Sequence, residues 1–245
     1  MILFAHRGES AGSFQCYSHA FGLSVLSIDH PIPNVKFGRP FKEKLPVAVI
    51  TGAGQGIGRA IAHKLASEGY SLALGDITSN QGRLKEVADE CTEIYKNTLA
   101  HGAEPKLYYG PCDVTAEPQV QALVQAAVDD LGGIDVMVAN AGIYRVAPLL
   151  EMEDELFDQV YTTAALEWGR HNITVNAYAP GPTDTDMWNK DVLGGITGGN
   201  QAQQLIVDRL ATGNISSPDE IAGLVSFLVS PAARNNYSGP PILCS

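Results

Sequence analysis

The sequence predicts an α/β fold with a doubly wound parallel sheet, on three observations. From Pro46 onward, short apolar runs alternate with amphipathic helical patterns. The helical patterns end at glycines, as at Gly69 and at Gly132-Gly133. The length of 245 residues suits one large domain of this kind. Regular strand–helix alternation implies parallel strands joined by right-handed crossovers.

The predicted elements follow one another with short connections. Up to residue 139 we predict strands at Val47–Ile50, Tyr70–Gly75, Lys106–Cys112 and Ile134–Ala139, and helices carrying Ile57, Ile61 and Leu65, then Leu84, Val87, Ala88 and Cys91, then Val120 to Leu131. Beyond it we predict a strand at Ile173–Ala179 and a helix carrying Ile221, Leu224, Val225 and Leu228. That last helix has the clearest start, because Ser217, Pro218 and Glu220 are typical of a capping box with proline at the first helical position.

Residues 1–45 differ from the rest of the chain. They carry a net charge of +2, against −13 for the remainder, and they show no sustained hydrophobic period. Pro31, Pro33 and Pro40 interrupt them, and the apolar start Met1–Ala5 is shorter than a secretory signal requires. The sequence therefore predicts an irregular N-terminal extension over residues 1–45 and one domain over residues 46–245.

Composition excludes several classes of function. A net charge of −11 argues against nucleic-acid binding, and no apolar run approaches the roughly 20 residues of a membrane span. The four cysteines are far apart and form neither a CxxC pair nor a Cys/His cluster, which predicts no metal site. Such cysteine usage is typical of reduced thiols, so we expect a cytoplasmic protein.

A glycine-rich turn from Thr51 to Gly58 joins the first regular strand to its helix. Phosphates bind at such a helix start, because its N–H groups are unpaired and the helix dipole is positive there. Asp76 ends the next strand, eighteen positions beyond Gly58, where a carboxylate can accept both ribose hydroxyls and repel a 2′-phosphate. The turn contains no Lys or Arg, so the cofactor predicted is NAD rather than NADP. The alternative is that Asp76 is a turn or capping residue.

With these motifs the chain resembles the classical short-chain dehydrogenase/reductase family over residues 46 to about 240. The family's Thr-Gly-x-x-x-Gly-x-Gly turn, its Asn-Ala-Gly motif and its later Pro-Gly and Thr positions all have counterparts here. The resemblance implies a Rossmann fold, an NAD-dependent oxidoreductase and a small alcohol, ketone or diketone as substrate. It implies these cofactor-binding residues: Gly52, Gln55, Gly56, Ile57, Gly58, Asp76, Asp113, Val114, Asn140, Gly142, Pro180, Gly181 and Thr185.

The family's catalytic Ser and Tyr-x-x-x-Lys have no counterpart. None of the eight lysines follows a tyrosine by four positions, so no catalytic residue is assigned. Residues 143–172 number only 30, about the minimum for the two crossovers and the strand that the pattern needs, and they suggest one helix, Glu151–Arg170. We therefore expect a sheet one strand and one helix short, with a junction near Tyr161 and with Ile173–Ala179 lying beside Ile134–Ala139.

Three functions remain open at this point. The first is an NAD-dependent dehydrogenase that is inactive or impaired; the second is a non-catalytic NAD-binding protein, a truncated isoform or a truncated gene model. The third is an interaction module that uses the N-terminal segment. Met187-Trp188 resembles acetoin and diacetyl reductases, with sugar and polyol enzymes as alternatives. The resemblance also implies a small-molecule substrate, if the chain is active, and homo-oligomers.

Overall fold

The computed structural model describes residues 2–7, 45–98, 104–143, 173–189, 204, 207–208, 210, 213–233 and 239–244. The strands are β1 Ile2–Arg7, β2 Val47–Thr51, β3 Ser71–Asp76, β4 Leu107–Pro111, β5 Val136–Ala139, β6 Ile173–Pro180 and β7 Gly239–Cys244. The helices are α1 Gly56–Ser67, α2 Gln81–Thr98, α3 Glu117–Ala126 and α4 Pro218–Val229, with a 3-10 turn at Thr78–Asn80 and a π-helical turn at Ala127–Leu131. Every element predicted between residues 46 and 139 is present, with bounds shifted by a few residues.

One seven-stranded sheet organises the described residues, in the order β4-β3-β2-β5-β1-β6-β7. The pairs β3–β4, β2–β3, β2–β5 and β6–β7 are parallel, as the alternation of strands and helices predicts. Strand β1 is antiparallel to both of its neighbours, β5 and β6. The fold is therefore a Rossmann-like α/β sheet with one reversed strand inside it.

Two expectations from the sequence fail in this part of the sheet. Residues 2–7 were expected to be irregular but form β1, and Ile173–Pro180 does not lie beside Val136–Ala139, because β1 separates the two. The physical premise stands, since the sheet has no one-strand gap in its hydrogen bonding. The filling strand comes from the start of the chain. The predicted helix Glu151–Arg170 and the junction near Tyr161 lie outside the described residues.

The core has two layers, because successive strand residues face opposite sides of the sheet. Ala48 and Ile50 pack in one buried cluster with residues of α1, α2 and α4. Val47 and Val49 pack on the other side in a cluster built mainly from α3 and its π-helical continuation. Helix α4 begins with the predicted capping box, in which Glu220 N–H donates to Ser217 Oγ at 3.3 Å. Helices thus cover both faces of the sheet.

Candidate functional site

The candidate site lies where the parallel strands end. Strands β2, β3, β4, β5 and β6 run in one direction, so their carboxyl ends meet at one edge of the sheet. Thr51, Asp76, Ala139 and Pro180 are the last residues of β2, β3, β5 and β6. In open α/β sheets, ligands bind outside this edge. The structure thereby brings the sequence-predicted residues to one side of the molecule.

The glycine-rich turn after β2 folds back tightly on itself. Gly52 has a φ of +64°, a left-handed conformation that favours glycine. A Cβ atom on Gly58 would lie 2.1 Å from the carbonyl oxygen of Gly52, which no side chain tolerates. The first turn of α1 therefore packs directly on the backbone of the loop, and Ile57 packs against the main core cluster.

Asn140 fastens the end of β5 to this turn. Its side-chain amide donates to the carbonyl oxygens of Thr51 and Gly52, each at 3.0 Å. In return, Thr51 Oγ1 accepts from the backbone N–H groups of Asn140 and Ala141, each at 3.1 Å. A Cβ atom on Gly142 would meet nothing closer than 4.0 Å, so the chain leaves the turn at that point. Asn140 thus acts in the described structure as a structural clamp on the turn.

The start of α1 has the chemistry of an anion site. Gln55 is the N-cap residue, but its side chain does not cap the helix, and the first turn contains no acidic residue. The side-chain oxygen of Gln55 instead accepts from Arg83 Nη1. The leading N–H groups of α1 are therefore left for a ligand, and a phosphate is the group that best fits them.

The Asp76 carboxylate is held in place at the tip of β3. Its Oδ2 accepts from Gly54 N–H at 2.7 Å and from Asn80 Nδ2 at 3.0 Å. Its Oδ1 accepts from Ile77 N–H at 2.8 Å, and the residue is only 7% exposed. The carboxylate thus has a fixed orientation immediately beside the glycine-rich turn, as expected for an acceptor of ribose hydroxyls.

Asp113 and Val114 lie just beyond the end of β4, the strand next to β3. The hydroxyl of Thr115 donates to Asp113 Oδ1 at 2.7 Å and the N–H of Thr115 at 2.9 Å, and together these bonds lower the pKa of Asp113. Val114 packs, partly buried, on the α3 cluster. The segment is joined to β3 by a hydrogen bond from Cys112 N–H to Asp76 O at 2.7 Å.

The segment after β6 reaches the glycine-rich turn from the other side. Thr183 Oγ1 donates to Gly181 O at 3.0 Å, directly after Pro180. Thr185 Oγ1 accepts from Trp188 N–H at 3.2 Å and so begins a short helical turn over residues 186–189. A Cβ atom on Gly56 would lie 3.3 Å from Thr185 Cγ2. Thr185 is therefore in contact with the start of α1, although they are far apart in sequence.

Sequence reasoning missed Arg83, the residue that joins the two sides. Arg83, in the first turn of α2, donates to Gln55, and its Nη1 also lies 3.1 Å from Asp186 Oδ2. The turn itself holds no cation, and this one comes from the next helix. Its spacing of seven residues from Asp76, at the start of a predicted helix, was the available signal. Asn80, which orients Asp76, was missed for the same reason.

Three further observations concern the described part of the chain. The indole N–H of Trp188 is buried and makes no hydrogen bond within the part of the chain that the structure describes. Across the described ranges, no three or more His, Cys, Asp or Glu residues are grouped so that they could hold a metal ion. In the same ranges, no helix has the length and apolar character needed to cross a membrane.

Comparison with known proteins identifies the family. Residues 46–164 match the family described as short chain dehydrogenase, and residues 159–237 match the family described as Enoyl-(Acyl carrier protein) reductase. A short-chain dehydrogenase/reductase of Armillaria gallica is 30% identical to this chain, covering 76% of it and 90% of that protein. The chain belongs to the short-chain dehydrogenase/reductase family. The resemblance seen in the sequence motifs is confirmed, and the fold of this family binds a nicotinamide dinucleotide.

Two more relatives of this short-chain dehydrogenase/reductase are informative. The diacetyl reductase [(S)-acetoin forming] of Staphylococcus epidermidis is 28% identical, covering 75% of this chain and 91% of that protein. The crystal structure of L-sorbose reductase from Gluconobacter frateurii, complexed with NADPH and L-sorbose, has a TM-score of 0.70 at 23% identity and covers 82% of this chain and 95% of that one. The first confirms the likeness to acetoin and diacetyl reductases, and the second confirms the fold.

Proposed function

We propose that this oxidoreductase-family chain binds NAD in preference to NADP and has lost most of the hydride-transfer activity of its relatives. The observation that carries the cofactor preference is the Asp76 carboxylate, held by Gly54 N–H and Asn80 beside the start of α1. A fixed carboxylate accepts hydrogen bonds from a ribose diol and repels the charge of a 2′-phosphate. The substrate class we propose is a small ketone, diketone or alcohol.

The charge balance around the turn supports the same preference. Arg83 is the cation that would attract a 2′-phosphate, but it is paired with Asp186 at 3.1 Å. The three side chains Asp76, Arg83 and Asp186 therefore carry a net charge of −1 at neutral pH. We infer that this negative charge repels a 2′-phosphate on the ribose, whereas it does not repel the neutral hydroxyl group of NAD.

We propose that thirteen residues hold the cofactor, because they lie at the same edge of the sheet. The α1 N-terminus would bind the pyrophosphate, Asp76 the adenosine ribose, and Asp113 and Val114 the adenine. Asn140 would fix the turn, while Pro180, Gly181 and Thr185 would adjoin the nicotinamide. The bound cofactor supplies or accepts the hydride. The full set is Gly52, Gln55, Gly56, Ile57, Gly58, Asp76, Asp113, Val114, Asn140, Gly142, Pro180, Gly181 and Thr185.

The low activity is inferred from what the chain lacks at the substrate. A carbonyl oxygen that gains a hydride also needs a proton donor and a polar clamp as negative charge develops. No lysine of this chain follows a tyrosine by four positions, so the family's Tyr-x-x-x-Lys acid has no counterpart. Where β5 and β6 end, the intervening strand β1 contributes Ile2 and Leu3, neither of which has a hydroxyl group.

The matches to known proteins support a missing segment. The two family matches meet at residues 159–164, which include Tyr161, the junction suggested by the sequence. The match to the Armillaria protein extends over 245 positions but takes in only 76% of this chain, against 90% of that protein. Positions of the relative therefore lack a counterpart here. The competing proposal, an active reductase, is favoured by the printed activities of relatives such as diacetyl reductase.

The cofactor proposal is tested by titrating NADH and NADPH against nicotinamide fluorescence. Asp76→Ala removes two hydrogen bonds to a charged acceptor, which are worth about 1.5–3 kcal/mol each, so NADH should bind at least about tenfold more weakly. The gap to NADPH should narrow at the same time. Asp89→Ala, which removes an exposed carboxylate paired with Lys85 on α2, is the matched control. Equal affinity of the unchanged protein for both cofactors would contradict the proposal.

The activity proposal is tested by NADH turnover on acetoin, diacetyl and a panel of small ketones. General acid catalysis contributes typically 10²–10⁴-fold, so the purified chain should be at least about 10²-fold slower than an intact relative assayed in parallel. Tyr144→Phe and Tyr161→Phe, at residues outside the described ranges, should leave any residual rate unchanged. Turnover at the relative's rate would establish the competing proposal, and its loss in one variant would identify the acid.

A further inference from the structure

The position of β1 in the sheet is the feature that the family resemblance does not account for. Residues 2–7 pair with β5 on one side, with Phe4 opposite Val138, and with β6 on the other side, with Phe4 opposite Asn176. The antiparallel register is continuous over four residue pairs on the first side and six on the second. Yet the family matches begin only at residue 46. A segment outside the family region thus lies inside the family sheet.

One buried core on a single face of the sheet includes residues from both sides of β1. Helix α1 packs on β2 and β3, and α4 packs beside α1, with Ser226 Oγ donating to Glu68 Oε1 at 2.5 Å. Tyr178 of β6 belongs to the same buried cluster as Val225 of α4. The core on this face of the sheet therefore extends from the β2 side of β1 to the β6 side.

Backbone hydrogen bonding explains why the space that β1 occupies cannot stay open. Val138 of β5 and Val175 and Ala177 of β6 are fully buried, so the edges facing the space cannot exchange their partners for water without opening the core. A buried backbone group without a partner costs about 1–3 kcal/mol, and each edge presents several. The apolar run Ile2-Leu3-Phe4-Ala5 is typical of a strand covered on both faces.

We propose that residues 2–7 are a donated strand that completes the sheet between β5 and β6, an inference that rests on the proposed loss of a segment near Tyr161. The interaction surface is the pair of facing edges of β5 and β6, and its occupant is this segment of the same chain, bound antiparallel. The segment joins the sheet half that carries the glycine-rich turn to the half that carries Thr185. Residues 2–7 are therefore required for a stable cofactor domain.

Cross-linking tests the register directly. Ala5 lies opposite Val175, and directly opposite residues on antiparallel strands have Cβ atoms about 4.5–5.5 Å apart on one face. Under mild oxidation, Ala5→Cys/Val175→Cys should form a disulfide within one chain, identified by peptide mass spectrometry. The matched control is Ala5→Cys/Thr174→Cys, which is one residue out of register and should not cross-link. No cross-link in the first variant, or equal yields in both, would overturn the proposal, and a disulfide between two chains would overturn the same-chain occupant.

A proline substitution in β1 provides a second test that does not depend on new cysteines. In an antiparallel strand paired on both sides, each backbone N–H points to one neighbour, so proline removes a ladder bond wherever it is placed. Ala5→Pro should lower the melting temperature by roughly 6–12 °C or prevent folding. Ala5→Val keeps the N–H and should melt within about 3 °C of the unchanged protein. Equal melting of Ala5→Pro and the unchanged protein would overturn the proposal, and the Asp76 titration tests the cofactor preference separately.

Discussion

The two halves of the sheet are built in opposite ways. Strands β4, β3, β2 and β5 come from one stretch of chain between residues 47 and 139, run parallel, and are joined by one helix at a time. Strands β1, β6 and β7 come from three distant parts of the chain, starting at residues 2, 173 and 239. The first half is complete within its own sequence, whereas the second is assembled from separated pieces.

This difference shows why the contacts around the glycine-rich turn can persist while the region after β6 changes. On the proposed adenosine side, the contacts connect residues of the first half, such as Gly54 with Asp76 and Asn140 with Thr51. On the other side, Thr185, which follows β6, lies against Gly56 at the start of α1. We therefore expect a change in the later chain to affect the region after β6 more than the contacts around the glycine-rich turn.

The largest loss of stability is expected from Gly58→Ala. This variant tests whether the first half is packed as closely as its contacts indicate. The added Cβ atom would lie 2.1 Å from Gly52 O, so either the turn or α1 must shift. We expect a loss of about 3 kcal/mol in the free energy of unfolding and a melting temperature lower by roughly 6–12 °C. NADH binding should fall with it.

Gly142→Ala is the matched control for that variant, because its Cβ atom would have no neighbour closer than 4.0 Å. It should melt close to the unchanged protein, as calorimetry or thermal fluorescence would show. If both glycine variants lost the same stability, the tight turn would not be the reason, and the contrast between the two halves would weaken.

An intermediate effect is expected at the contact between the halves, the pair of Arg83 with Asp186. Both side chains are about half exposed, and such pairs contribute about 0.2–1 kcal/mol, so each single variant should change NADH affinity by no more than about fivefold. The double variant Arg83→Met/Asp186→Asn should change it less than the two single effects combined. The corresponding cycle on Arg59 and Glu90, an ion pair between α1 and α2, should show no coupling to NADH affinity. Full additivity at Arg83 and Asp186 would show that the two halves are not coupled through this pair.

The smallest change at neutral pH is expected when the native protein is treated with an alkylating agent, because the thiols of the first half are buried. Burial raises the pKa of the Cys91 thiol to about 12 and that of Cys112 to about 11, so neither is ionised near pH 8. Native protein should therefore resist alkylation at both positions, measured by mass spectrometry against unfolded protein. Rapid labelling of either thiol would indicate that the first half opens locally.

The same thiols predict the direction in which the free energy of unfolding changes with pH. The native state keeps its protons above the ordinary cysteine pKa of 9.0, whereas the unfolded state loses them. Stability should therefore fall as the pH rises from 9 to about 12. Cys91→Ala should show a shallower decline over that range, by urea unfolding, than the unchanged protein. A slope that is identical in both would contradict the shift at Cys91.

The sequence predicts the first half well because its signals are local. Helical stripes such as Ile57, Ile61 and Leu65, and the glycines that end them, lie within the elements they specify, and the turn and Asp76 are adjacent to those elements. The placement of β1 is not predictable in this way, since Ile2-Leu3-Phe4-Ala5 carries no information about which edge it will pair with. Arg83 escaped prediction because only tertiary packing brings it to Gln55. The predicted single helix between residues 143 and 172 stays a prediction.

The central position of β1 has a consequence for how the chain folds during synthesis. Residues 2–7 leave the ribosome well before their partners, and because β6 is complete only at Pro180, their second partner emerges after more than 170 further residues. At about 5–20 residues per second, an apolar segment stays without its full pairing for roughly ten seconds or longer. Such long-range pairing is slow and exposes chains to aggregation. Yield in cells should therefore depend on translation speed and on chaperones more strongly than the stability of the finished fold would suggest.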